Sequence, residues 1–130
     1  MANITVKKFD GTTDVIYTAA TPSAGDGSMA IWKNQTIVGP IFVQPELRLA
    51  SVNTKDNKKR RLRGTFVYPE SYTDTATGLV MVRESVMGSF DFTLGKATTA
   101  STINEASAQF TNLIASALMK ASLSSGYAPS

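Results

Sequence analysis

The sequence predicts an α+β fold: an antiparallel β-sheet with an N-terminal hairpin, followed by a C-terminal helix, one long or two short. Two observations carry this. Through the first two thirds of the chain, short segments alternate apolar with polar residues and are separated by Gly, Pro, Asp and Asn. After Ala100 the apolar spacing changes from two to three and four. The 130 residues fit one domain spanning 1–130, with a hairpin over 3–20, the main sheet over 28–95 and a helical region over 101–124.

Ile4 to Phe9 and Val15 to Thr18 flank the turn-rich Asp10-Gly11-Thr12-Thr13-Asp14 and form the first hairpin. The loop Thr21 to Gly27 leads to a third strand, Met29 to Trp32. Ile37-Val38 and Ile41-Phe42-Val43, interrupted by Gly39-Pro40 and closed by Pro45, read as short edge pieces. Leu47 and Leu49 then alternate with Arg48 and Ala50, and a turn at Asp56-Asn57 returns the chain through Arg61 to Tyr68. On that return strand Leu62, Phe66 and Tyr68 share one face and Arg61, Arg63 and Thr65 the other. A bulge near Ser51-Val52-Asn53 would exchange the faces, and the sequence leaves that open.

Pro69 to Gly78 reads as a polar loop, and Leu79 to Leu94 as a long strand. That strand places Val80, Val82, Val86, Phe90 and Phe92 on one side, and Met81, Arg83, Ser85, Met87, Ser89 and Asp91 on the other. Ile103, Ala106, Phe110, Leu113, Ile114, Ala117, Leu118 and Ala121 describe one helix face. A capping box at Thr102-Ile103-Asn104-Glu105 starts it, and Lys120 stands near its end, where the helix dipole favours a cation. No charge lies between Glu105 and Lys120, so this helix is expected to be covered on more than one side, most simply by another subunit.

Charge is concentrated. Between Arg48 and Arg63, seven cations (Arg48, Lys55, Lys58, Lys59, Arg60, Arg61, Arg63) face Asp56 alone, a surplus of six in a chain whose total is +3. A local basic stripe on an otherwise acidic molecule is the footprint of a polyanion site. The competing reading is a solvated hairpin tip, since Lys-Asp-Asn-Lys-Lys is also ordinary turn chemistry.

The absence of His and Cys removes imidazole and thiolate metal sites, Ser-His-Asp triads, Cys nucleophiles and disulfides. Glu84 or Asp91 as a catalytic base finds no paired carboxylate or phosphate-cradling Gly loop, so no enzyme, cofactor or metal is expected. No window approaches the ~18 uninterrupted apolar residues of a spanning helix, and the alternating N-terminus is no targeting block, so a soluble protein without a membrane partner is expected.

The order of hairpin, strands, basic hairpin, long strand and amphipathic helix resembles the coat proteins of small single-stranded RNA bacteriophages, the levivirus-type capsid proteins. The resemblance spans nearly the whole chain. It is strongest over Glu46 to Pro69, over Ser89-Phe90-Asp91-Phe92-Thr93 and over Asn104 to Ala121, and Gly126-Tyr127 is similar to the tails of some members. It implies dimers whose sheets join edge to edge, with each subunit's helices lying across its partner. Dimers would build a quasi-equivalent icosahedral shell, assembled in the bacterial cytoplasm and ending in the virion. The inner sheet face would bind single-stranded viral RNA, including a hairpin whose recognition represses translation.

Carried over by position, the RNA-binding residues would be Arg48, Ala50, Lys58, Lys59, Arg61, Arg63 and Thr65 of the basic hairpin, with Arg83, Ser85, Met87 and Ser89 of the last strand. The chain departs from the family where members pocket an unpaired adenine among small polar side chains: here Arg48 adjoins Ala50. Ser85 and Met87 likewise replace the amide and aromatic residues of some members. The loop Pro69 to Gly78 would gather at the shell's symmetry axes without cross-linking cysteines. The alternative is a cellular single-strand nucleic-acid-binding β-sheet module. Against it, Phe66, Tyr68, Phe90 and Phe92 fall opposite Arg61 and Arg63, whereas such modules stack bases on aromatics set among cations.

Overall fold

The structure, a computed structural model, describes residues 1–130 and contains two compact units, Met1–Thr93 and Leu94–Ser130. Six strands run β1 (Ile4–Lys7), β2 (Asp14–Thr21), β3 (Met29–Lys33), β4 (Glu46–Asn53), β5 (Lys59–Thr73) and β6 (Val80–Gly95). They lie side by side in chain order in one antiparallel sheet. Helices α1 (Ala100–Ile114) and α2 (Ala117–Ser125) follow. The α+β reading, with its N-terminal hairpin and two short helices, therefore holds. Neither helix is long and apolar enough to cross a membrane.

Alternation gives the sheet one closed face. Trp32 lies opposite Leu47 and Leu47 opposite Phe66, while Ala30, Leu49 and Gly64 form the next row. Tyr17, Ala30 and Trp32 are buried at the centre, with Ile4, Val15, Ala19, Leu47, Leu49 and Phe66 packed around them. The Trp32 indole N–H donates to the Ala2 carbonyl at 2.9 Å, satisfying the one polar atom this ring brings inside. Gly64 lets the Phe90 ring lie directly over the strand: a Cβ there would fall 2.0 Å from that ring, which would have to move aside.

The β4–β5 hairpin closes through Asn57 at φ 58°, a left-handed position that Asn tolerates, and Asp56 accepts from the Thr54 hydroxyl and the Lys58 amide. Pairing is regular from Glu46–Val67 to Asn53–Arg60, so Ser51 to Asn53 form no bulge and the faces are not exchanged. The register shift lies instead in β2, between Ala19 and Thr21.

Several expectations are corrected. Ile41–Val43 is a 3-10 turn rather than an edge strand, and Ile37-Val38 forms no strand. Pro40 and Pro45 bracket it, Val43 is only 1% exposed, and Gly39 at φ 145° leaves a would-be Cβ 2.8 Å from Val43. Hydrophobicity here anchors a corner instead of filling a ladder. The expected loop from Pro69 is also shorter, because β5 continues to Thr73 and only a tight turn remains, with Asp74 accepting from the Gly78 amide at 2.7 Å. Proline is tolerated in β5 because β4 pairs with it only as far as Val67, so Pro69 removes no ladder bond to that neighbour.

In the second unit, the expected single apolar stripe is divided at Ala115–Ser116. Ser116 is extended, at φ −66° and ψ 155°, and its side chain accepts from the Met119 amide as the N-cap of α2. The expected capping box does not form: α1 begins after Thr99, Thr102 lies inside the helix, and Glu105 accepts from Gln109 instead. Lys120 falls early in α2 rather than in its last turn, and Gly126 at φ 79° closes that helix. Neither helix has a buried residue.

Candidate nucleic-acid interface

The regular β3–β4–β5 register fixes what the second face of the sheet carries. Residues opposite one another share a face, so Ile31, Arg48 and Thr65 form one row and Met29, Ala50 and Arg63 the next. Val52 and Arg61 complete a third row, and Lys33, Glu46 and Val67 a fourth. Arg48, Ala50, Arg61, Arg63 and Thr65 are thus brought together as the sequence predicts. Lys58 and Lys59 stand exposed at the hairpin end of the same strands.

The arginines are not bare. Asp91 of β6 bonds Arg61 through Nε at 2.8 and 2.9 Å and Nη2 at 2.6 Å, and lies 3.4 Å from Arg63 Nε. Glu46 pairs with Arg48 and, at 3.1 Å, with Lys33. Each carboxylate is therefore shared by two cations. The hydrogen bond from Arg61 holds the Asp91 carboxyl below its ordinary range, and the same bond raises the arginine's pKa. For Glu46, partial burial alone would raise the carboxyl's pKa, but bonds from Arg48 and Lys33 outweigh it and the net shift is downward.

Both anions stay charged at neutral pH, leaving four cations against two carboxylates on this face. The pairs that Asp91 makes with Arg61 and Arg63 are exposed and therefore weak, so a polyanion can compete for those guanidinium groups, whereas Glu46 is held in a more sheltered pair. Arg60, between them in sequence, points elsewhere: it forms a two-pronged pair with Asp26 at 2.9 and 3.1 Å and bonds Asn53 at 3.0 Å, tying the Thr21–Gly27 loop to the hairpin.

Arg83 does not join Arg61 and Arg63. It lies 3.9 Å from Glu70 and 5.0 Å from the centre of the Tyr72 ring, while Tyr72 reaches Met81. Asp91 meets odd-numbered residues of β5, whereas Met81 and Arg83 meet even-numbered ones. The Gly64–Phe90 contact and the Glu70–Arg83 contact thus stand apart along the two long strands, and Arg83 meets a different stretch of β5 from Asp91. Ser85, Met87 and Ser89 lie exposed along the same strand between these contacts.

The sequence assigns no role here to Lys33 or Glu46, and it places Asp91 on the polar row of the last strand without making it a partner of the arginines. Glu46 is recoverable from its spacing of two from Arg48, and Asp91 from its place on the polar row of β6. Lys33 depends on the β3–β4 register, which no local pattern carries. No group of three or more metal-ligating side chains forms.

No protein-family model matches the chain, and no curated protein sequence does. Solved structures do. The protein of the virus-like particle of Beihai levi-like virus 21 superposes with a TM-score of 0.84 at 12% identity, covering 100% of this chain and 98% of that one. The virus-like particle of bacteriophage NT-214 gives 0.83 at 13%, with 100% and 98% covered. The capsid protein of bacteriophage GA gives 0.74 at 13%, with 96% and 94% covered. Six antiparallel strands in chain order followed by two helices are, in this chain, the coat-protein fold of the levi-like, single-stranded RNA bacteriophages.

Proposed function

We propose that this chain is a phage coat protein: a single coat-protein domain that dimerises, assembles into an icosahedral shell, and holds genomic RNA against the basic face of its sheet. The observation that carries the reading is the likeness, over the full chain, to proteins that form virus-like particles. The division of surfaces supports it. β6 is a sixteen-residue strand at an edge of the sheet, exposed along nearly all its length and open to pairing with a second copy. On the apolar face an open groove of about 760 Å³ runs past Val6, Phe9, Val15, Tyr17, Phe66 and Tyr68, a seat for a partner's helices. Such a protein acts in the virion after assembly in the host cytoplasm, and recognition of an RNA hairpin as a translational repressor belongs to the same basic face.

Expression of the chain alone is expected to give large RNA-containing particles in electron micrographs, and a nucleic-acid-free monomer would overturn the reading. Arg61→Ala and Arg63→Ala should each weaken RNA binding and reduce the slope of log affinity against log salt by about one per lost phosphate contact. Unchanged affinity and slope in both variants would remove these arginines from the interface.

A further inference from the structure

The 3-10 turn at Ile41–Val43 creates a site that strand alternation does not foresee. β4 begins at Glu46, opposite Val67, but β5 runs on to Thr73, so a corner of the second sheet face lies beyond the end of β4. The turn occupies that corner. Val43 and Pro45 are buried beneath it, which fixes the backbone and leaves Phe42 projecting outward with 58% of its surface exposed. A concavity of about 400 Å³ results, walled by Phe42, Val67 and Pro69 and rimmed by Lys33, Glu46 and Arg48.

This combination has a specific chemistry. Phe66 packs against the core, and the Phe90 ring lies over Gly64 on the same face of the sheet, away from Arg61 and Arg63. Phe42 alone sets a solvent-facing ring beside two cations on the basic face. A ring among cations is how single-stranded nucleic acids are held, because every base has a face to stack while the cations take the adjoining phosphates. Glu46 stays ionised between Lys33 and Arg48 and is therefore only an acceptor, suited to an N–H on the edge of a base. A purely apolar partner would have to leave these three charges facing it.

We propose that this concavity is a nucleobase pocket, in which one unpaired base of single-stranded RNA stacks on Phe42 while its neighbouring phosphates meet Arg48 and Lys33. The inference rests on the RNA-binding reading above and adds to it a site for a base, distinct from the phosphate contacts of Arg61 and Arg63. Phe42 lies outside the buried core, so its replacement leaves the sheet intact.

The test uses the full chain and a single-stranded RNA oligonucleotide in which one adenine is replaced by fluorescent 2-aminopurine. Wild type and Phe42→Trp should quench the probe. Phe42→Ala should lose the quenching and bind roughly 5- to 150-fold more weakly, the loss of one stacked base. Its salt slope should stay at the wild-type value, because no phosphate contact is removed. Wild-type affinity in Phe42→Ala, alongside weakened binding in Arg61→Ala, overturns the pocket and leaves the RNA-binding reading standing. Loss of particles by Phe42→Ala at unchanged RNA affinity also overturns it, and makes the concavity a contact between copies. Failure of the wild type to bind any RNA overturns the RNA-binding reading and the pocket with it.

Discussion

The centre of the sheet and the two helices are built from similar apolar residues and use them in opposite ways. Trp32 is 8% exposed, ringed by Leu47 and Phe66 and hydrogen-bonded through its indole. Leu113 and Leu118 remain 64% and 61% exposed, and no residue of either helix is buried. The first region satisfies itself; the second displays an apolar surface that water covers poorly. A monomer has little reason to keep such a surface, whereas a chain that matures by pairing with its own copies does.

The largest expected effect falls on the self-sufficient region. Trp32→Ala should destabilise the sheet by about 3–5 kcal/mol, the range for removing a large buried aromatic, in denaturant unfolding of the disassembled protein. A cost under about 1 kcal/mol would show that the centre is not the source of stability and would dissolve the contrast with the helices.

Leu118→Asp should do the reverse. An exposed position away from a packed core changes the stability of the sheet within roughly 0.5 kcal/mol. Emission from Trp32, the chain's one tryptophan, should therefore match wild type. Burying a carboxylate against a partner is costly, so dimers and particles should be lost, as read by sedimentation. Particles that survive this substitution would mean that α2 faces solvent in the assembly and that the helices are not the pairing surface.

What was legible in the sequence follows from range. Arg61, Arg63 and Thr65 share a face because alternation within β5 says so, and Leu47 and Leu49 fix the face of Arg48 in the same local way. Lys33 joins them only through the pairing of β3 with β4. Arg83 stands beside Glu70 and Tyr72, apart from Arg61 and Arg63, and neither strand's own alternation marks that separation. Pro69 looked like a strand end because the tolerance of proline depends on a neighbour that stops at Glu46, which nothing near Pro69 announces. Ile41-Phe42-Val43 has strand composition, yet Gly39, Pro40 and Pro45 permit only a turn, and that turn is what places an aromatic ring on the basic face.

The smallest expected effect concerns the break between the helices, where local signals conflict. The apolar spacing through Phe110, Leu113, Ala117, Leu118 and Ala121 suits one continuous helix, and Ala115 is itself helical at φ −83°. Against it stands one side chain: Ser116 leaves the helical region, caps α2 through the Met119 amide, and donates to the Leu113 carbonyl at 2.7 Å. Ser116→Ala removes both bonds and installs the strongest helix former, a change worth about 1 kcal/mol at the cap with a few tenths more from propensity. That is enough to tip a short break but too little to unfold the chain. The variant should gain helical circular dichroism and show slower amide exchange from Ala115 to Met119 as α1 runs into α2. Since the direction of α2 then changes while its composition does not, particle yield should fall although Trp32 emission stays at the wild-type value. Unchanged helicity would place the origin of the break in the packing of the helices and not in the serine cap.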